Sequence, residues 1–246
     1  MTQRYKMTVA YDGTHYAGWQ VQPGERTIQS ELERAAHQIS GEIVRIHCSG
    51  RTDSGVHARA QVTHFDLDAP LETRRLARGL NALLDSDIRV TSLTGAAPDF
   101  DARRSATGKQ YRYFLWDGAV LPPHVRLYRT HVLKRLELEA MQDAAGRLMG
   151  RNDFSAFAAN PNREVPSTTR TLSQLQVSRK GHEVTIVAES EGFLYKMVRS
   201  LAGFLIRVGE GEVSPEAAGA ILDSRERTAR VPTAPPQGLF LWKVFY

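Results

Sequence analysis

The chain has 246 residues, of which 41% are hydrophobic and 24% are charged, proportions close to those of ordinary globular proteins. This composition excludes a chain that is disordered throughout, and the length suits one large domain or two closely joined domains. Lys and Arg exceed Asp and Glu, which gives a net charge of +5 and a pI near 9.5. The positive charge favours a polyanionic partner without identifying it.

Cysteine usage and hydropathy indicate the compartment. Cys48 is the single cysteine, so no internal disulfide can form, and no C-x-x-C pattern surrounds it. The N-terminal segment carries no apolar secretory stretch. The longest apolar run, near residues 201–206, is too short to span a bilayer. We therefore expect a soluble protein of the reducing cytoplasm, with no membrane partner.

The first half of the chain shows the two periods that distinguish strands from helices. Residues 5–11 alternate apolar with polar or small side chains, as in a half-buried strand, and end at the turn signal Asp12-Gly13. A helix with apolar positions at helical spacing follows Thr27, its predicted N-cap, and ends at Gly41. The other elements predicted in this half are strands at residues 44–48, 61–67 and 88–93 and a helix at residues 73–84.

The second half repeats this order. Strands are predicted at residues 110–116, 172–179, 183–189 and 239–246, and helices at residues 137–149, 194–208 and 215–223. Residues 118–123, 158–167 and 230–238 are rich in Pro, Gly and Asn and are predicted to be loops.

Two successive β-α-β-β-α-β units predict the fold class. We expect an α+β protein with two pseudo-symmetric ferredoxin-like halves, residues 1–105 and 106–246, whose antiparallel sheets join edge to edge. A basic cleft is expected between the halves.

One loop segment is chemically dense. Residues 50–58 read GRTDSGVHA, with an acid, basic groups and two glycines between predicted strands. Asp53 is a candidate nucleophile or base if it is shielded from water. A turn-forming aspartate that accepts a backbone hydrogen bond explains the same residue equally simply.

The GRTDSGVHA segment closely resembles the active-site motif of TruA-type tRNA pseudouridine synthases. The resemblance continues, in family order, through YDGTHYAGWQVQ at residues 11–22, FDARRSATGKQYRY at 100–113, DFSAF at 153–157, FLYKMVRSLAGFLIRVGEG at 193–211 and APPQGLFLWKVFY at 234–246. Several ordered motifs are far more specific than one loop.

The resemblance implies that Asp53 is the catalytic aspartate that initiates breakage of the uridine C–N glycosidic bond, before the base rotates and rejoins through carbon. Such an isomerisation implies neither a metal nor an organic cofactor. Whether the carboxylate attacks the base, attacks the ribose or acts as a base is not readable from sequence.

The resemblance assigns two further catalytic residues. Tyr111 is implied to pack against the target base and to assist proton removal, although it also suits an ordinary strand aromatic. Arg199 lies in an apolar helix, where an unpaired guanidinium is costly to bury. The resemblance makes Asp53 its partner; a surface arginine that extends past apolar neighbours is the alternative.

The remaining predicted site residues concern RNA binding. Arg51 is implied to fill the space vacated by a flipped uridine, and Leu239 to line an apolar pocket. Arg103, Lys109 and Lys196 are candidates for phosphate contacts. Phe100, Tyr111, Tyr113, Phe154 and Phe157 offer stacking surfaces, although most are expected to belong to the core.

Two other chemistries fit the sequence poorly. His57 and His64 show no spacing typical of a metal site. The VGEG segment at residues 208–211 follows a helix rather than a strand and lacks the lysine of a P-loop, which disfavours nucleotide binding.

The sequence therefore predicts an enzyme that converts uridine to pseudouridine in the anticodon arm of tRNA, just 3′ of the anticodon. The resemblance also implies a homodimer. A non-catalytic RNA-binding protein of the same fold is the main alternative, and an aspartate-dependent metal hydrolase is a weaker one.

Overall fold

A computed structural model describes residues 2–159 and 166–246. In chain order its helices and strands are β1 (Gln3–Tyr11), α1 (Ile28–Ser40), β2 (His47–Cys48), β3 (His57–Leu67), α2 (Thr73–Leu83), β4 (Ile88–Ala96), β5 (Gly108–Trp116), β6 (Thr130–His131), α3 (Leu138–Arg147), β7 (Gly150–Asp153), β8 (Thr169–Lys180), β9 (Glu183–Ser190), α4 (Met197–Gly209), α5 (Ala217–Ser224) and β10 (Leu239–Phe245).

The chain forms two compact units. The first comprises Met1–Thr107 together with Phe240–Tyr246, and the second comprises Gly108–Leu239. The sequence placed the boundary between residues 105 and 106 and assigned the last strand to the second half. In the structure, the end of the chain groups with the first unit.

The first unit is a ferredoxin-like α+β layer. Its strands follow the order β4-β1-β3, with β2 on the far side of β3, and these neighbours are antiparallel. The first residues of β3 also pair with β10, in parallel. The predicted β-α-β-β-α-β order is therefore confirmed here.

The core of the first unit lies between the sheet and helices α1 and α2. Alternate residues of β1 are buried because successive strand side chains point to opposite faces. Among them, Tyr5 stacks on Phe65 of β3 with ring centroids 5.3 Å apart. Helix α1 begins and ends as predicted: the Thr27 side chain accepts a hydrogen bond from the Ser30 N–H, and Gly41 is left-handed at φ 74°.

The second unit repeats the order up to its second helix, with additional short elements, while the closing strand β10 groups with the first unit. Its strands follow the order β5-β9-β8-β7, with antiparallel pairing throughout this run, and β6 pairs with β5 in parallel. The two-residue β6 and the short β7 were not predicted. Fully buried aromatics fill the core beneath helix α4: Phe157 meets Phe204 edge-on, with centroids 5.7 Å apart. The mostly antiparallel α+β class expected from the sequence is confirmed.

A buried ionic cluster fixes one end of the second unit. Asp117 follows β5, and its carboxylate is fully buried. It accepts hydrogen bonds from Arg135 at 3.0 Å and from Arg179 at 2.5 Å. Arg179 is mostly buried as well, and removing one partner of a buried ion pair costs about 3–5 kcal/mol. The Asp117–Arg179 pair therefore holds the end of β8 against the residue that follows β5, while Arg135 adds a more exposed contact.

The predicted loop at residues 158–167 lies partly outside the described chain, because residues 160–165 are not described. The loops at residues 118–123 and 230–238 lack regular helices and strands apart from short 3₁₀ turns that begin at Pro123 and Pro236.

Candidate active site

Asp53 lies in the first unit, in the loop that connects β2 to β3, and its side chain is half-buried. Its carbonyl accepts a hydrogen bond from the Val56 N–H at 3.1 Å, which closes a tight turn. Gly55 within this turn has φ 74°, a backbone conformation that favours glycine. The turn fixes the backbone that carries the predicted catalytic carboxylate.

Residues on both sides of Asp53 are hydrogen-bonded to the last residue of β1 and to the segment that follows it. The Trp19 N–H donates to the Thr52 carbonyl at 3.0 Å, and the Tyr11 and Thr52 hydroxyls lie 2.8 Å apart. The Ser54 hydroxyl donates to the Tyr16 carbonyl at 3.1 Å. The motif at residues 11–22 is therefore the support of the Asp53 loop, which explains in physical terms why the two motifs occur together.

Two glycines permit this close approach. A Cβ atom on Gly13 would lie 2.0 Å from the Val56 carbonyl oxygen. Gly18 has φ 90°, and a Cβ there would lie 2.7 Å from the Thr52 carbonyl oxygen and 3.1 Å from the Asp53 carbonyl carbon. Side chains at these positions would displace the backbone of the Asp53 loop.

His57, which was weighed from the sequence as a metal ligand, is a structural residue of this loop. It is fully buried, and its Nδ1 accepts a hydrogen bond from the Gly13 N–H at 3.1 Å. Its ring stacks on Phe240 of β10 with centroids 4.5 Å apart. His64 behaves similarly, since its Nδ1 accepts a hydrogen bond from the Ala102 N–H at 3.0 Å.

Arg51 and Arg103 are both exposed and lie on the same part of the first unit. Burial raises the pKa of the Cys48 thiol to about 12, and the charges of Arg51 and Arg103 oppose that rise. Both guanidinium groups therefore lie within electrostatic reach of one sulfur. Arg103 is presented by a turn in which the Asp101 carboxylate accepts from the Arg103 and Arg104 N–H groups, each at 2.8 Å. Arg51 therefore places an exposed positive charge two residues before Asp53.

Tyr111 lies in the second unit, near the middle of β5, opposite Ala188 of β9. Its side chain is mostly buried, and its ring meets Phe193 edge-on, with centroids 5.1 Å apart and planes at 86°. Lys109, two residues earlier, shares its face of the strand and is also buried. The strand therefore presents an aromatic and a cationic side chain together.

Arg199 lies in the first turn of α4 and is half-buried. Its Nε donates to the Ala234 carbonyl at 2.8 Å, while the Ala234 N–H donates to the Arg199 carbonyl at 3.0 Å. Its charge also acts on Tyr113 of β5: burial raises the pKa of that phenol, and Arg199 opposes the rise. Arg199 is therefore positioned by the APPQGLF motif and lies near the strand of Tyr111.

The residues before β10 bring that motif against both α4 and β5. A Cβ on Gly203 of α4 would lie 2.1 Å from the Pro232 carbonyl oxygen, and one on Gly238 would lie 2.7 Å from the Phe114 carbonyl oxygen. Leu239, the predicted pocket residue, follows directly and is buried. Both of its expected roles, pocket wall and core, agree with this burial.

Lys196 is the residue that precedes α4. Its backbone is left-handed at φ 57°, and its Nζ lies 4.9 Å from the centroid of the Tyr195 ring. The helix was predicted to begin at Leu194; it begins at Met197, because this left-handed residue interrupts helical geometry.

The first unit thus carries Asp53, Arg51 and Arg103, and the second carries Tyr111, Arg199, Leu239, Lys109 and Lys196. The ion pair between Asp53 and Arg199 stays a prediction. The sequence reasoning missed the supporting roles of Thr52 and Phe193. Both lie inside the recognised motifs, which is the only signal that pointed to them.

Among the described side chains, no group of three or more His, Cys, Asp or Glu residues is arranged to hold a metal ion. Within the same part of the chain, none of the helices has the length and apolar character needed to cross a membrane.

Comparison with known proteins gives one consistent result. The family model described as tRNA pseudouridine synthase matches residues 7–103 and 144–246. The tRNA pseudouridine synthase A of Bacillus pumilus is 42% identical over 245 residues, covering 99% of each chain. The enzyme of the same name from Lysinibacillus sphaericus is 44% identical over 247 residues, covering 99% of this chain and 100% of the relative. That of Methylobacterium nodulans is 43% identical over 244 residues, covering 99% and 96%.

Proposed function

Because the chain belongs to the tRNA pseudouridine synthase family, we propose that it isomerises uridine to pseudouridine in tRNA, with Asp53 as the catalytic carboxylate. The observation that carries the residue assignment is the support of the Asp53 loop. Thr52 is hydrogen-bonded to the Trp19 N–H and to the Tyr11 hydroxyl, and the Ser54 hydroxyl donates to the Tyr16 carbonyl, so the neighbours of Asp53 are held on both sides. A pre-positioned carboxylate avoids the entropic cost of orienting it during the reaction.

The reaction conserves every atom. The bond between N1 of the base and C1′ of the ribose breaks, the base turns, and a bond forms between C5 and C1′. C5 then loses its proton and N1, freed from the ribose, gains one, so the reaction needs no oxidant and has no net leaving group. Asp53 initiates the bond breakage.

Tyr111 and Arg199 complete the proposed machinery. The Tyr111 ring, braced by Phe193, packs against the uracil, and its hydroxyl assists removal of the C5 proton. Arg199, held through Ala234, pairs with Asp53 and keeps it charged and oriented. Leu239 supplies an apolar wall beside the base.

The target nucleotide leaves its stack to reach Asp53, at a cost of a few kcal/mol. The exposed Arg51, two residues before Asp53, occupies the space that the uridine leaves. Arg103, Lys109 and Lys196 contact phosphates, which carry most of the affinity in nucleic-acid complexes.

The finer parts of the proposal concern the RNA and the assembly. The substrate region is the anticodon arm, at uridines just 3′ of the anticodon, and the active species is a homodimer in the cytoplasm, where tRNA is found. Solution scattering reports the mass directly; a monomer that is fully active would refute the dimer.

The test incubates the purified protein with unmodified tRNA, without added metal or cofactor, and maps pseudouridine in the product. Asp53→Asn is nearly isosteric, so we expect loss of turnover with RNA affinity retained. Asp99→Asn removes the same charge at an exposed position of the same unit and serves as the matched control, with turnover close to that of the parent.

Each outcome distinguishes the alternatives. Turnover by Asp53→Asn near the parental rate would remove Asp53 from the mechanism. Tight tRNA binding by the parent with no product across several tRNAs would instead favour a non-catalytic RNA-binding protein.

A further inference from the structure

One aromatic side chain beside the predicted machinery is exposed. Tyr195 has 42% of its surface accessible. Of the side chains predicted as stacking surfaces, Phe100 is half-buried and the others are buried: Tyr111, Tyr113, Phe154 and Phe157. Across residues 2–159 and 166–246, no group forms a hydrogen bond with the Tyr195 hydroxyl, and the cation against its ring is that of Lys196. Within the described part of the chain, this ring is therefore exposed to a ligand.

The backbone that presents Tyr195 is strained. Lys196 adopts φ 57°, a left-handed backbone conformation that is unfavourable for a residue with a side chain. Strain of this kind persists where the surroundings enforce it, and it concentrates at functional sites. Here the Tyr195 carbonyl accepts from the Ala159 N–H at 3.0 Å, and the Met197 N–H donates to the Leu194 carbonyl at 3.1 Å.

This turn directs some side chains into the core and others towards solvent. Leu194 and Met197, on either side, are buried, while the Tyr195 ring faces solvent with the Lys196 ammonium 4.9 Å from its centroid. A flat aromatic surface and a cation on a flexible side chain are therefore presented together by one hydrogen-bonded turn.

The position of this segment connects it to catalysis. Phe193, two residues before Tyr195, braces the Tyr111 ring. Arg199, three residues after Lys196, lies less than one helical turn further, about 5 Å along the axis of α4. Tyr195 and Lys196 thus lie between the contacts of two proposed catalytic residues of the second unit.

We propose that Tyr195 and Lys196 form a subsite for a nucleotide that neighbours the target uridine in the RNA; this inference rests on the proposed function. The Tyr195 ring stacks on the base, as aromatic side chains do with unpaired RNA bases. The Lys196 ammonium contacts an adjacent phosphate. Because every base has a stacking face, the subsite accepts any base at that position.

The first experiment separates binding from chemistry. KM and kcat for pseudouridine formation are measured with unmodified tRNA for Tyr195→Ala, Tyr195→Phe and the parent. Loss of one stacked base weakens binding by roughly 5- to 150-fold, so we expect KM to rise by that factor in Tyr195→Ala with kcat nearly unchanged. Tyr195→Phe keeps the ring and should behave as the parent.

The second experiment tests the ammonium. Lys196→Gln should lower the slope of log Kd against log salt by about 0.7, the contribution of one phosphate contact on a single strand. Lys180→Gln is the matched control, because it removes an exposed lysine from the same unit at the far end of β8. Lys180 pairs with Glu183 across the β8–β9 hairpin. Glu183 lies five residues along β9 from Ala188, the strand partner of Tyr111, and five strand residues span roughly 17 Å.

Lys196→Gly distinguishes a binding role from a structural one. Glycine adopts the left-handed conformation of this position without strain, so the variant should unfold at the same or a higher urea concentration than the parent, yet bind tRNA more weakly. Parental affinity in this variant would show that the lysine side chain does not contact RNA.

A fluorescent base locates the stack. An anticodon-arm RNA with 2-aminopurine beside the target uridine should lose emission when bound by the parent or by Tyr195→Phe, but not when bound by Tyr195→Ala. Equal KM and equal quenching in Tyr195→Ala and the parent would overturn the subsite while parental activity still supports the proposed function. If the parent forms no pseudouridine, the proposed function fails, and the quenching of bound RNA still decides whether Tyr195 stacks.

Discussion

Gly18 offers a direct test of how the Asp53 loop is supported. Gly18→Ala places a side chain on a backbone at φ 90°, and its Cβ would lie 2.7 Å from the Thr52 carbonyl oxygen. The unfavourable backbone conformation costs about 1–2 kcal/mol, and the overlap with a packed backbone adds about 1–3 kcal/mol. We therefore expect the free energy of unfolding to fall by about 2–5 kcal/mol, within the range that a domain of ordinary stability survives.

A matched variant separates these two costs. Gly24 has φ 75°, but no atom lies within 4 Å of a Cβ placed there. Gly24→Ala therefore carries the backbone strain alone, and its expected loss is about 1–2 kcal/mol. The difference between the two variants measures the contact with the Asp53 loop.

The assay combines urea unfolding with turnover on tRNA at a temperature where both variants are folded. Relieving the overlap moves the Thr52–Asp53 peptide, and a displacement near 1 Å at a catalytic group reduces turnover by about 100-fold. We expect that loss in Gly18→Ala and parental turnover in folded Gly24→Ala. Equal stability and equal turnover in the two variants would refute the claim that Gly18 sets the position of Asp53.

Four other contacts lead to measurable expectations. Phe193→Leu removes the edge-on aromatic contact with Tyr111, which contributes about 0.5–1.5 kcal/mol. The kcat should therefore fall by about 2- to 13-fold. An unchanged kcat would show that Tyr111 does not depend on this contact for its position. Arg199→Lys keeps the charge but loses the hydrogen bond from Nε to the Ala234 carbonyl, and a hydrogen bond from a charged donor contributes about 1.5–3 kcal/mol. The kcat at saturating tRNA should therefore fall by at least tenfold. Parental turnover would mean that the charge alone suffices. Burial lowers the pKa of His64, with His47 and Arg4 acting in the same direction and Asp101 and Asp66 opposing. The unfolded chain therefore binds a proton at His64 more readily than the folded chain, so the stability that is present above about pH 6.5 declines as the pH falls. The urea midpoints at pH 7.5 and pH 5.5 should differ less in His64→Gln than in the parent. Burial raises the pKa of the Cys48 thiol to about 12. Alkylation by iodoacetamide at pH 8 should therefore be at least about 100-fold slower in the native protein than in urea. Equal rates would mean that the thiol is accessible and ionised in the native protein.

Regular elements were predictable where their stabilising pattern is local. Helix α1 is indicated by Thr27, Gly41 and the apolar spacing between them, and β1 by its alternation. Strand β3 was predicted to begin at Gln61 but begins at His57. Its first residues pair with β10, a partner at the opposite end of the sequence that no local window contains.

The candidate site was assigned from the sequence for a different reason. Nothing in the spacing around Asp53 decides between a catalytic and a turn-forming carboxylate, and the residue was assigned through the resemblance of its motif. The supports of that loop, such as the Tyr11 hydroxyl on Thr52, join residues far apart in sequence. The same limitation hid the Asp117 cluster, whose arginines come from two separate segments.

The position of β10 has a consequence for the order in which this molecule matures. Phe240 and Leu241 pair with His57 and Ala58, and the Tyr246 hydroxyl donates to the Ala102 carbonyl, although the whole of the second unit, Gly108–Leu239, intervenes in the sequence. During synthesis, the first unit leaves the ribosome long before its last strand exists.

His57, which anchors the downstream end of the Asp53 loop, stacks on Phe240 and so acquires its final neighbour only when residues 240–246 emerge. A nascent chain that has not yet reached β10 therefore has an unfinished sheet in its first unit. The sheet of the first unit is therefore completed by a segment that follows the whole second unit in the chain.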